Sequence, residues 1–64
     1  MNNKYRKYFV DVDGRDIKKE NHPRYRMFTW EGFADDGDDA VKKCLSSITN
    51  EQRLDALWLT PYTV

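Results

Sequence analysis

The chain has 64 residues, one cysteine, and equal numbers of basic and acidic side chains, 11 of each. That length holds one domain near the lower limit for independent folding, residues 1–64 as a single unit, and the lone cysteine excludes an internal disulfide as a staple. Zero net charge argues against the basic excess expected of a nucleic-acid-binding protein.

Taken in chain order, residues 4–12, KYRKYFVDV, read as a first strand. Tyr8, Val10 and Val12 share one parity; Tyr5, Lys7, Phe9 and Asp11 share the other. The uncharged set is expected to face a helix. Asp13-Gly14 follows as a tight-turn signal, with Arg15 to Ile17 as a short extension pairing back. Residues 18–23, KKENHP, form a polar loop whose Pro23 biases His22 towards an extended backbone.

A second strand is expected over 24–34. Phe28, Trp30, Gly32 and Ala34 lie on one parity, Thr29, Glu31 and Phe33 on the other. The first set is assigned to the covered side, because burying Thr29 and Glu31 is costly. The strand runs straight into a helix over about 37–48, where Ala40, Val41, Cys44, Leu45 and Ile48 fall on one face of a 3.6-residue period. Asp36 is the expected N-cap, with Asp39 three residues on as its partner, and Asp35, Asp36, Asp38 and Asp39 all lie at the positive end of the helix dipole. Cys44, on the apolar helix face, acts as a small hydrophobe rather than a reactive thiol.

Thr49 and Gln52 form a second capping-box pattern, one further helical turn before a last strand at about 55–60. There Leu57 and Leu59 face one way, Ala56, Trp58 and Thr60 the other, and Pro61 marks the strand's end or an edge. The fold class is therefore α+β: a small three-stranded, mainly antiparallel sheet with one helix packed on one face, in the order β-β-α-β, the last strand pairing with the first.

One helix covers one face of such a sheet. On these parities the open face carries Tyr5, Phe9, Tyr25, Met27, Phe33 and Trp58, with Lys7, Asp11, Thr29 and Glu31 among them. Contiguous aromatic surface of this kind marks a contact region, and aromatic, Met and Arg residues are enriched in interfaces. The competing reading is that one strand's parity is inverted and several of these rings are core.

No catalytic or metal pattern stands out. His22, the only histidine, lies in a loop without a Ser or Cys partner at a recognisable spacing. No Cys/His cluster suits zinc, and Asp11, Asp13 and Asp16 around Gly14 lack the remaining ligands of a calcium loop. The expectation is a protein that is not an enzyme and needs no cofactor. There is no signal-peptide pattern, no apolar run near transmembrane length and no lipidation motif; together with the single unpaired cysteine, this gives a cytoplasmic expectation with no membrane partner.

A first strand KYFVDV, a second strand flowing through Ala34-Asp35-Asp36 into a helix at Asp38-Asp39-Ala40, and a final ALWLTPYTV resemble the layout of the small host RNA polymerase inhibitor of T7-like phages; some small anti-CRISPR proteins are similar in layout. In the polymerase inhibitor, arginines on the last strand contact the polymerase. Here that strand offers Asp55, Trp58 and Thr60, with Arg53 just before it. The resemblance implies a phage or mobile-element protein in the host cytoplasm that occupies a surface of a host protein complex.

Three functional expectations result. The first is a protein-binding inhibitor using Tyr5, Phe9, Tyr25, Met27 and Trp58, with Trp30 or Trp58 as anchor and Asp35, Asp36, Asp38 and Asp39 engaging a basic groove. The second is a single-stranded nucleic-acid-binding protein in which the rings stack on bases while Lys4, Lys7, Arg24 and Arg26 track phosphates. It is weakened by the charge distribution, +3 over residues 1–32 and −3 over 33–64. The third is a homodimer in which two copies cover each other's open face.

Overall fold

In the computed structural model, which describes residues 5–63, two long strands pair first: β1, Arg6–Arg15, and β2, Arg24–Ala34. Two helices follow, α1 over Gly37–Ser47 and α2 over Asn50–Asp55, and then a short strand β3, Trp58–Tyr62. The sheet order is β2-β1-β3 and both pairings are antiparallel, so the last strand does pair with the first. The domain is a small α+β fold with an open sheet.

The helix-facing parity of β1 holds. Val10 and Val12 are fully buried with Ala34, Ala40 and Cys44, and Tyr8, Phe28, Trp30, Val41, Ile48 and Leu59 pack around them. These are the apolar positions of the two expected strand faces and of the helix stripe. The Cys44 thiol is pushed above its usual range by burial, which keeps it protonated and inert at neutral pH.

Asp36 caps α1 by accepting from the Asp39 backbone N–H at 2.8 Å. The return bond runs one residue further out than a capping box would place it: Asp39 Oδ2 accepts from the Asp35 N–H at 3.0 Å. Thr49 and Gln52 complete a reciprocal capping box on α2, and Arg53 donates to the Leu45 carbonyl at 2.6 Å, tying α2 back to α1.

Four local expectations need correction. Asp13-Gly14 is not the turn: both residues lie inside β1, opposite Arg26 and Tyr25. The chain reverses instead through residues 16–23, closed by Asp16 N–H to the Pro23 carbonyl at 2.9 Å and by two successive i to i+3 bonds, Lys19 to Asp16 and His22 to Lys19. His22 is not extended before Pro23 but has φ 46°, in the left-handed region. Glycine at position 14 serves close approach. A Cβ there would sit 2.7 Å from the Asp55 carbonyl oxygen and 2.9 Å from Met27 Sδ. Finally, β3 begins at Trp58, so Ala56, the C-cap of α2, packs against the core instead of sharing the Trp58 face, and Leu57 is left exposed.

Candidate interaction face

The face of the sheet turned away from α1 is built by alternation along β1. Directly opposed residues of neighbouring strands point to the same side. Lys7 faces Phe33; Phe9 faces Glu31 and Tyr62; Asp11 faces Thr29 and Thr60; Asp13 faces Arg26 and Trp58; Arg15 faces Arg24. These rows place five rings, four cations and three carboxylates on one surface: Tyr5, Phe9, Phe33, Trp58 and Tyr62 among Lys7, Arg15, Arg24, Arg26, Asp11, Asp13 and Glu31.

Two residues assigned to this face from the sequence lie elsewhere. The ladder shifts register between Val12 and Asp13, where Val12 opposes Phe28 but Asp13 opposes Arg26. Met27 is the extra residue of a β-bulge, and it packs against the core instead of outward. Beyond the bulge the parity of β2 inverts. Tyr25 therefore opposes Gly14 on the helix side and lines a shallow depression with Ile17 and Asp55, while Arg24 and Arg26 are carried onto the outer face. A strict two-residue period cannot register such an insertion.

The rings are organised in pairs. Phe9 and Tyr62 stack with centroids 5.5 Å apart, and Tyr5 and Phe33 with centroids 5.8 Å apart. Lys7 lies over Phe9 and Lys43 over Tyr5. Tyr5 remains 49% exposed, Phe33 55% and Tyr62 39%, so the stacking does not remove them from solvent.

At the other end the face is polar and tightly bonded. Asp13 is only 5% exposed and accepts from Arg24 Nε at 2.7 Å and Arg26 Nε at 2.5 Å. Asp11 accepts from Thr29 Oγ1 at 2.9 Å and Tyr62 Oη at 3.1 Å, with Arg26 Nη1 at 3.4 Å. Trp58 stacks under two guanidiniums, Arg24 at 4.4 Å and Arg15 at 5.1 Å from its centroid. Tyr62 and Arg15 were missed in the sequence. Carrying the Trp58 and Thr60 parity through Pro61 would have found the first, and continuing the Phe9, Asp11, Asp13 alternation the second.

Bonds from Arg26 first and Arg24 second hold the Asp13 carboxyl below its ordinary value of 3.8, outweighing the opposite effect of burial. A carboxyl depressed in the folded state adds stability above its unfolded value, and that stability is lost as pH falls through the folded value. Asp13→Asn should therefore lower Tm at neutral pH and flatten the acid side of the Tm profile, followed by thermal melts between about pH 2 and 7. Asp39, lowered first by the Asp35 N–H, contributes a slope of the same sign that the variant retains. Parallel acid limbs for wild type and variant would contradict the assignment.

The acidic stretch after β2 is partly committed to the helix start. Asp36 and Asp39 are engaged as described, and Asp39 also bridges Lys43 at 3.2 Å, while Asp35 and Asp38 stand exposed. Lys4 lies outside the described residues. Of the other cations assigned to phosphate tracking, Lys7 pairs with Glu31 at 3.4 Å, and Arg24 and Arg26 pair with Asp13. Comparison with protein-family models, curated proteins and solved structures finds no match to the chain.

Proposed function

We propose that the chain is a non-catalytic protein-binding module that docks on a partner protein through the outer face of its sheet. The supporting observation is the placement of two stacked ring pairs, Tyr5 with Phe33 and Phe9 with Tyr62, on the outer face, where Tyr5, Phe33 and Tyr62 are exposed, Phe9 is half-buried, and α1 reaches the Tyr5 end through Lys43. Rigid, pre-stacked rings bury large apolar area on docking while losing little conformational freedom, which is why such residues anchor interfaces. The resemblance in layout adds the form of the reading: an inhibitor that occupies a surface of a host nucleic-acid-handling or defence complex.

The single-stranded nucleic-acid reading is less well supported by the same face. Lys7, Arg24 and Arg26 each have a carboxylate partner, and Asp11, Asp13 and Glu31 would lie under any phosphate chain that crossed the rings.

The test is capture of a partner from lysate at physiological salt by the wild-type chain and by surface variants. Tyr5→Ala combined with Phe33→Ala should weaken capture by about 2 kcal/mol or more, roughly 30-fold. Leu54→Ala, on a still more exposed side chain of α2, should leave it unchanged. Capture insensitive to the ring pair, or absent altogether, would overturn the proposal.

A further inference from the structure

We infer that the corner of the outer face built by Arg15, Arg24 and Trp58 takes a carboxylate of an acidic, extended segment of the partner protein. The inference rests on reading the outer face as a docking surface and names the chemistry that the face selects.

Arg15 and Arg24 stand directly opposite each other on β1 and β2, an unfavourable pairing of like charges. The neighbouring carboxylate cannot relieve both. Asp13 gives one oxygen to Arg24 Nε and the other to Arg26 Nε, and its side chain is almost fully covered. Arg15 is left with a single hydrogen bond, from Nη1 to the His22 carbonyl at 3.1 Å, and no carboxylate partner among the described residues. Arg24 is held through Nε, so its terminal Nη groups stand at the exposed end without a hydrogen-bond partner among the described residues. Three guanidiniums thus surround two carboxylates, Asp11 and Asp13, and the surplus positive charge sits at Arg15 and Arg24.

Trp58 makes this surplus a recognition element. Both guanidinium carbons lie within 5.1 Å of its ring centroid, which holds the two cations side by side over one ring, with the Arg24 Nη groups and the rest of the Arg15 N–H groups left for an incoming anion. Among the described residues the rest of the face offers no second anion site, because Lys7 pairs with Glu31, and Arg26 with Asp11 and Asp13. A run of phosphates would meet Asp11 and Glu31 one step further on. A lone carboxylate followed by apolar side chains would instead continue onto the Phe9 and Tyr62 pair. Trp58, over which both guanidiniums lie, opposes Asp13, four residues from Phe9 on β1 and about 13 Å away in a strand. The complementary segment is therefore an extended peptide with an acidic residue about four positions from a large apolar one.

The test uses the isotope-labelled full chain and follows the Trp58 indole N–H and the arginine Nε–H signals by NMR. The probes are a blocked peptide with glutamate four positions before phenylalanine, its glutamine counterpart, and a short oligothymidylate. The glutamate peptide should shift the Trp58 and Arg24 signals saturably and bind about tenfold more tightly than the glutamine one, a preference that Arg15→Gln removes. Equal binding of the two peptides, no shift at millimolar peptide, or a preference unchanged in Arg15→Gln would overturn the inference. Tighter binding of oligothymidylate at the same signals would also overturn it, in favour of nucleic acid. If partner capture depends on Tyr5 and Phe33 but not on Arg15, the docking face stands and the acidic-segment inference alone falls.

Discussion

Trp30→Ala should remove about 3 kcal/mol of unfolding free energy, the lower end of the range for deleting a large aromatic from a core. Trp30 packs against the buried cluster on the helix side of β2, opposite the fully buried Val10. Its ring lies across Gly32, where a Cβ would meet Trp30 Cζ2 and Cη2 at 2.6 Å. The residue is only partly buried, which places the loss at the lower end. A domain of this size has a total stability of only about 3–10 kcal/mol, so the variant should be marginally folded at 25 °C. Urea unfolding followed by far-ultraviolet circular dichroism checks this. Trp58→Ala, on the outer face, should cost much less, and equal costs for the two tryptophans would contradict the division of the sheet into a core face and an open face.

Gly14→Ala should destabilise by about 1–3 kcal/mol, as overpacking a filled position does. The obstruction is the Asp55 carbonyl oxygen, 2.7 Å from the would-be Cβ, together with Met27 Sδ at 2.9 Å. A methionine side chain can move, but the backbone at Asp55 is fixed on both sides. It ends α2, and two residues on, the Leu57 N–H donates to the Asp13 carbonyl at 2.9 Å. Relief requires α2 and the start of β3 to shift away from β1. The same urea series reads the effect. If Gly14→Ala were neutral, position 14 would be the flexible turn suggested by the Asp13-Gly14 pair and not a close-packed strand residue.

These two substitutions also mark how far the sequence could be read. The covered side was legible because it obeys plain periods: Val10 and Val12 alternate, Phe28, Trp30 and Ala34 alternate, and Ala40, Val41, Cys44 and Ile48 follow a helical stripe. The capping signals at Asp36 and at Thr49 with Gln52 were legible for the same reason, since each is a local bond within four residues. What escaped was set by contacts distant in the chain. Asp13-Gly14 has the composition of a turn, but arginines 11 and 13 residues away neutralise the aspartate, and Asp55 passes close over the glycine. The bulge at Met27 inverts the second strand's parity, moving Tyr25 and Met27 off the open face and Arg24 and Arg26 onto it. The aromatic character of that face was correctly foreseen for Tyr5, Phe9, Phe33 and Trp58, whereas its buried Asp13 centre was not.

The acidic stretch shows the same division. Asp36 and Asp39 serve the start of α1, so a partner's basic groove would find only Asp35 and Asp38 unengaged. The outer sheet face therefore carries the weight of the functional proposal.

The four tyrosines supply a direct readout of that proposal, because Tyr5 and Tyr62 lie on the outer face while Tyr8 and Tyr25 lie on the helix side. Radical footprinting of the chain, alone in buffer and in lysate of the cells that express it, compares their modification residue by residue. Docking through the outer face predicts protection of Tyr5, Tyr62 and Trp58 in lysate, with the half-exposed Tyr25 modified to the same extent in both. Protection of Tyr25 with Tyr5 and Tyr62 unchanged, or no protection at any ring, would contradict it.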